Sequence, residues 1–369
     1  MQEKDPYAKA GVDQRSEDAA LQGMLHWINR TLEFGPTPVK MPIGAFANVM
    51  ALDDRTGLAI GTDSVGTKLI VAQQVGKYDT VGIDCVALCV NDLICVGARP
   101  LALVDYIGVQ HIDGAVLEQI ARGLYEGARI AGISIPGGEI AQIGEIIRGH
   151  EGGYAFDLAG TAVGTVPLDR IITGKLARPG DAILGLRSSG LHSNGYTLAR
   201  KVLLQAKAGH ASLRLDQHIQ ALGKTLGEEL LEPSRIYVRE IVEMLADGFP
   251  IHGLCNITGD GLLNLSRLEA AVGSEITDLP QPQPIFRLIQ ERGNLPDEEM
   301  YRVFNMGIGF CLIVPDNPTV IARAIEICRA HGSECLRIGT VIADEQRCVF
   351  LRNPPGGGLV GESGRFTKQ

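Results

Sequence analysis

Residues 58–75, LAIGTDSVGTKLIVAQQV, change their periodicity partway along. Alternation over Ala47–Leu52 and Leu58–Thr62 predicts two strands, and from Val65 to Val75 the apolar positions recur at helical spacing. A strand leading through a glycine-bearing loop into a helix is a building unit of α/β folds. It is also a place where backbone N–H groups and the helix dipole favour phosphate. Gly61 and Gly66 have the separation of a Walker loop, but the order that follows is Gly-Thr-Lys rather than Gly-Lys-Thr. Asp63 inside the loop would repel phosphate unless a cation stood between them. That pattern suggests Asp63 as a Mg²⁺ ligand and Lys68 as a phosphate contact. The plainer alternative is a helix capped by Asp63, with Lys68 in solvent.

The next stretch, VGIDCVALCVNDLICVG (residues 81–97), has helical periodicity over Thr80–Val96. Asp84 and Asn91 are seven positions apart, within roughly 20° on a helix, and Asp92 follows at once. Carboxylates among valines and leucines need a partner or a metal; a polar stripe on a half-exposed helix is the alternative. Cys85 and Cys89 lie one turn apart. No second ligand pair follows at zinc spacing, so they read as buried thiols.

Further along, Leu101–Val109 predicts a strand, Asp113–Ile130 a helix, and Ile133–Pro136 a short strand ending in the turn Gly137-Gly138-Glu139. Phe156–Val166 is another strand. The Pro-Gly-bearing segment 167–181 separates two periodic regions and marks a domain boundary. Beyond it strands and helices alternate again, with a helix expected over Gly261–Leu268. From Asn353 the composition, NPPGGGLVGESG, has little to bury and predicts a loose tail. The fold class is mixed α/β (α+β), with two domains, 1–167 and 168–352, each a mixed sheet packed with helices, and a flexible tail, 353–369. A hydrophobic share of 45% and a charged share of 21% exclude wholesale disorder. The net charge of −9 (34 basic against 43 acidic residues) supplies no basic footprint for nucleic acid or an anionic membrane. The eight cysteines form no CxxC pair and the N-terminus has no apolar leader region, so a reduced, cytoplasmic protein is expected.

Three later segments carry polar groups in loops. SSGLHSNGYTLARK (188–201) crowds Ser188, Ser189, His192 and Asn194 between a strand and a helix. It is no nucleophile elbow, and its hydroxyls, amide and imidazole suit a polar ligand such as a phosphoribosyl group, or else simple helix capping. ITGDGLLN (257–264) is a glycine turn before a helix, and EMYRVFNMGIG (299–309) places Arg302 and Asn305 before a strand.

Taken in order, these segments resemble the phosphoribosylformylglycinamidine cyclo-ligases (aminoimidazole ribonucleotide synthetases) of purine biosynthesis. The likeness runs from Ala10-Gly11-Val12-Asp13 to about residue 350 and includes EPSRIYV (232–238) and GN-x4-EMYR-x-FNMGIG (293–309). It implies two α/β domains, a homodimer joined through the N-terminal domains, and ring closure of a formylglycinamidine ribotide with ATP and Mg²⁺. On that likeness Asp63, Asp92 and Glu139 would hold Mg²⁺. Lys68, Gly66, Thr67, Asn91, Gly137 and Gly138 would serve the nucleotide. Ser188, Ser189, His192, Asn194, Thr258 and Gly259 would hold the ribotide, with His192 moving a proton and Lys68 and Glu139 also acting in catalysis. A related phosphotransferase or a nucleotide-binding paralogue without turnover is the alternative. Three departures stand out: IGAFAN (43–48) where the family has a glycine-rich loop, GGEIAQ (137–142) for GGETAE, and NITGDG (256–261) for HITGGG.

Overall fold

The computed structural model describes residues 14–150, 153–206 and 211–369, with side chains from residue 20 onward. Ala10–Asp13, where the family likeness begins, lies outside them. The first half runs α1 (Gln14–Thr31), β1 (Asn48–Ala51), β2 (Thr56–Ser64), α2 (Lys68–Val75), α3 (Val81–Cys95), β3 (Arg99–Val109), α4 (Gly114–Ala131), β4 (Ser134–Gln142) and β5 (Phe156–Pro167). The sheet order is β1-β2-β5-β3-β4, antiparallel except for the β3–β4 pair, which α4 connects as a βαβ crossover. Asp113 starts α4 by accepting the Ala115 and Val116 amides, and left-handed Gly132 ends it.

One face of this sheet is covered and the other is not. Along β5 every second residue from Phe156 to Val166 is buried, while Asp157, Ala159, Thr161, Val163 and Thr165 are half-buried. The buried rows lie under α3, whose side chains from Val81 to Cys95 are almost all buried. Alternation with period 2 is what sorts the two sets.

The second half contains β6 (Ala182–Arg187), α5 (Tyr196–Leu204), β7 (His218–Ile219), β8 (Lys224–Thr225), α6 (Leu226–Leu230), α7 (Val238–Ala246) and β9 (Gly253–Asn256). After them come β10 (Gly273–Ile276), α8 (Pro284–Gly293), α9 (Asp297–Val303), β11 (Ile308–Val314), α10 (Pro318–Ala330), β12 (Cys335–Ile342), β13 (Val349–Leu351), β14 (Leu359–Glu362) and β15 (Arg365–Lys368). Eight of these strands form one sheet in the order β15-β14-β13-β10-β12-β6-β11-β9. Between β6 and the edge strand β9 lies the wholly buried β11, a continuous apolar run of the kind that marks a strand covered on both sides.

Four expectations are corrected. The tail is not loose: β14 and β15 form a hairpin that extends the sheet beyond β13, because Leu359 and Phe366 find cover, Phe366 against the Tyr301 ring at 6.5 Å. The segment Gly261–Arg267 is a 3₁₀ helix rather than an α-helix. β2 continues through Ser64, so Asp63 is a strand residue and not a helix cap. β4 continues to Gln142, so Gly137-Gly138-Glu139 is strand and not a terminal turn. Among the described residues no helix is long and apolar enough to cross a membrane.

Candidate active site

Helix α3 touches both halves. Asp84 is fully buried and is satisfied from both halves. Its carboxylate takes Lys68 Nζ at 2.8–2.9 Å and the Ser234 amide and hydroxyl at 2.7 and 2.6 Å. Lys68 also donates to the His192 carbonyl at 3.0 Å and the Glu232 carbonyl at 2.7 Å. An ammonium has three protons, and all three are in use. Lys68 is therefore no phosphate contact here; it ties α2 and α3 to two loops of the second half. Burial pulls its pKa down, and the Asp84 charge acts against that.

Asn91 is occupied in the same way. Its amide donates to the Arg235 carbonyl at 2.8 Å and accepts the Tyr237 amide at 3.0 Å, so it fixes the second half. Asp92 differs. Asn256 Nδ2 donates to one of its oxygens at 2.8 Å. Burial first, and then the Asp63 charge, push its pKa up to about 7, against the opposing Asn256 hydrogen bond and Arg267 charge. Asp63 accepts the Ser64 amide, and burial raises its pKa too.

Sheet register decides which carboxylates meet. Asp63 pairs with Gly160, Gly160 with Asp105, and Asp105 with Gly138. Paired residues share a face, and the open side of Gly160 looks at the Cys85 and Cys89 sulfurs. Asp63 and Asp105 therefore face α3. A Cβ on Gly138 would collide with the Asp105 carboxylate, which explains that glycine. Glu139 pairs with Tyr106, one residue on, and so lies on the opposite, open face. The expected trio of Asp63, Asp92 and Glu139 is not assembled within one chain. Among the described residues no group of three or more His, Cys, Asp or Glu is placed to hold a metal. Two carboxylates with raised pKa values, that of Asp92 raised in part by the Asp63 charge, still fit Mg²⁺, which commonly takes one or two protein oxygens and completes its shell with phosphate and water. The Cys85 and Cys89 thiols are buried, Cys89 with its pKa pushed up to about 12, which fits the thiol reading.

The loop residues divide into two groups. Ser188 donates to Asn305 Oδ1 at 3.0 Å, Ser189 donates to the Pro233 carbonyl, and His192 Nε2 accepts the Ser189 and Arg235 amides at 3.3 and 3.4 Å. These three hold loops together. His192 is buried, at φ 60°, and burial followed by the Lys68 and Arg235 charges lowers its pKa to about 3. It is neutral near pH 7 with Nε2 already accepting, so the expected proton-transfer role is corrected to a structural one. The second group is half-buried: Asn194 Oδ1 lies against Gly259, next to Thr258, which is two residues along from Asn256, the Asp92 partner. Gly66, at φ 69°, is exposed beside Thr67, whose hydroxyl meets that of Thr197 at 3.0 Å. Asp105, Asn256 as an Asp92 partner, and Arg267 were not read from sequence. Arg267 resembles any basic residue in a last helical turn, and only contact across more than 200 residues, to Gly44, distinguishes it.

Comparison with known proteins adds the lineage. Residues 44–166 match the family described as AIR synthase related protein, N-terminal domain, and residues 178–350 match its C-terminal domain. The chain is 48% identical over 341 residues to a phosphoribosylformylglycinamidine cyclo-ligase of Thermococcus kodakarensis, covering 92% of this chain and 96% of that protein. It is 44% identical over 338 residues to that of Methanocaldococcus jannaschii, covering 91% and 92%. Its fold is similar to the hydrogenase maturation protein HypE in complex with ATP, with a TM-score of 0.59 at 21% identity over 85% of this chain and 87% of that one.

Lys68→Met should lower unfolding free energy by about 3–5 kcal/mol, because it leaves Asp84 charged and buried without its partner. Urea titration measures this; full stability with only a raised ATP KM would restore the phosphate role. For His192 the folded pKa lies below the unfolded 6.5, so the unfolded chain binds the extra proton. Stability then falls as pH drops from about 6.5 toward 3, by up to about 1.4 kcal/mol per pH unit from this group. His192→Asn should flatten that slope in unfolding measured at stepped pH, with no difference in slope above pH 7.

Proposed function

The chain belongs to the phosphoribosylformylglycinamidine cyclo-ligase family, and from that premise we propose that it closes the imidazole ring of formylglycinamidine ribonucleotide with ATP, giving aminoimidazole ribonucleotide, ADP and phosphate. The observation that carries this reading is the Asp63–Asp92 pair, two like charges drawn together at the junction of the halves with Asn256 orienting one of them.

In the reaction the formyl oxygen takes the γ-phosphoryl group, an internal nitrogen attacks the activated carbon, and phosphate leaves. Such chemistry needs positioning and charge neutralisation more than a covalent nucleophile. Asp63 and Asp92 are the residues that would hold Mg²⁺, which supplies the positive charge that the phosphoryl oxygens require. Gly66 and the Thr67 amide open α2 toward the phosphates, in place of the occupied Lys68. Asn194, Thr258 and Gly259 offer an amide, a hydroxyl and a close backbone approach to the ribotide. Ser188, Ser189 and His192 support that surface from behind. The eight buried, unpaired thiols suit a reducing cytoplasm.

The open face of the first sheet supports the homodimer reading. Val104 and Tyr106 are exposed there, and Leu58, Ile60 and Val163 are half-buried, an apolar surface of the kind that marks an interface. Glu139, and the exposed Gly137 beside it, lie on that face, so in a dimer joined through it Glu139 would serve at the interface.

A coupled assay with ATP and the ribotide, following imidazole formation, tests the reaction. Asp92→Asn should reduce turnover about 100-fold or more with the fold intact by circular dichroism. A wild-type protein that hydrolyses no ATP and forms no imidazole overturns the reading. Val104→Asp should convert a dimer to a monomer in light scattering; an unchanged mass removes this face from the interface.

A further inference from the structure

Loop 42–47 carries all but the last residue of IGAFAN (43–48), where a glycine-rich segment is usual, and it is held at two places. At its base, Asn48 Nδ2 donates to the Met41 carbonyl at 3.0 Å, and Lys40 and Val49 are joined through their backbones. At its tip, the Arg267 guanidinium lies 4.3 Å from the Phe46 ring centroid, and Nη2 donates to the Gly44 carbonyl at 2.8 Å. Arg267 Nη1 donates to Asn264 Oδ1 at 3.2 Å, and Asn264 is itself buried and bonded to the Gly261 carbonyl. The guanidinium thus has a fixed base in the second half and a fixed grip on the first. Ala47, buried, seats the loop beside Gly61 of β2, two residues from Asp63.

We propose that Arg267 is a positioning residue: through Phe46 and Gly44 it latches loop 42–47 across the mouth of the Asp63–Asp92 site and keeps a fixed positive charge there for a nucleoside triphosphate. The nucleotide part of this inference rests on the function proposed above; the latch itself does not. Three features favour the arrangement. A guanidinium stacks on an aromatic face while keeping its in-plane donors for carbonyls, which an ammonium cannot do. Alanines at 45 and 47 narrow the backbone freedom that glycines would give, so a latched loop loses less entropy on closing. Lys68 is tied up by its three acceptors, so a second cation is needed near the phosphates. The Arg267 charge already acts on Asp92.

Hydrogen–deuterium exchange over residues 43–47 and the KM for Mg·ATP test the latch on the full-length protein. Arg267→Ala and Phe46→Leu should each speed exchange about tenfold and raise the ATP KM about three- to tenfold, with kcat changed less than twofold. Phe46→Tyr keeps the π face and should restore wild-type exchange, whereas Arg267→Lys should recover it only in part. The double variant Arg267→Ala/Phe46→Leu should be no worse than Arg267→Ala alone, since the two side chains act through one contact. Unchanged exchange in Arg267→Ala overturns the latch, and so does a double variant whose effect is the product of the two singles. Exchange altered in these variants while Mg·ATP binding by calorimetry is unaffected overturns the nucleotide role alone. Absence of ring closure by the wild-type protein would count against the function and leave the exchange result to judge the latch.

Discussion

A buried ammonium sets the terms for this structure. Lys68 has no access to solvent, and a charge taken out of water is tolerable only with a counter-charge and its protons matched to acceptors. Asp84 gives the counter-charge from α3, and the other two acceptors are carbonyls of His192 and Glu232 in the second half. Neither half can satisfy the charge alone. Rotating α3 or sliding the halves apart would strand an ion, so the pair fixes register more than it adds net stability. Two turns along α3, Asn91 repeats the device without charge by clamping the Arg235–Tyr237 backbone. With α3 held at both points, Asp92 is presented to Asn256 in a fixed position.

That arrangement sorts the charges of the site. The loop lysine, which sequence places beside phosphate, is consumed by docking. What remains near the junction is mostly negative: the Asp63 charge acts on Asp92, Asp105 stands on the same face of the sheet as Asp63, and Arg267 is the opposing charge. In a chain of net charge −9, an anionic ligand gains entry only with a cation of its own or with Arg267. The glycines answer the same demand for space. Gly138 makes room for the Asp105 carboxylate, and Gly309 makes room for the His192 ring and the Tyr237 hydroxyl.

Much of this was legible in the sequence, for identifiable reasons. The polar stripe of α3 is legible as a signal, because seven-residue spacing among apolar residues is local, but only the burial of Asp84 and Asn91 decides between partners and a half-exposed face. The division into two α/β halves followed from strand–helix alternation. The place of Lys68 is not legible because two of its three acceptors come from residues 124 and 164 positions away, which no local pattern reports. Polar Thr62-Asp63-Ser64 suggests a loop at Asp63, whereas pairing with β5 keeps it in strand. The tail was read as loose from its prolines and glycines, yet two well-spaced apolar residues, Leu359 and Phe366, suffice once a sheet edge is available. His192 looked like a proton carrier because an imidazole in a polar loop usually titrates near neutrality. Burial beside two cations removes that property.

Strand parity separates two carboxylates of the first sheet. Asp105 and Glu139 are neighbours in space, on paired strands, yet one residue of offset sends them to opposite faces. No side-chain rotation moves a carboxylate through a sheet. A cation held by Asp63 and Asp92 therefore sits on the covered face, and the Glu139 of the same strand set looks away from it. Since the open face is also where Val104 and Tyr106 are exposed, a second copy packed there would bring the catalytic surface and the assembly surface to one sheet. A second copy on the open face would present its own Glu139 to that same face, so the sheet separates either Glu139 from the Asp63–Asp92 pair, and replacing the Glu139 carboxylate should alter assembly rather than the step at that pair.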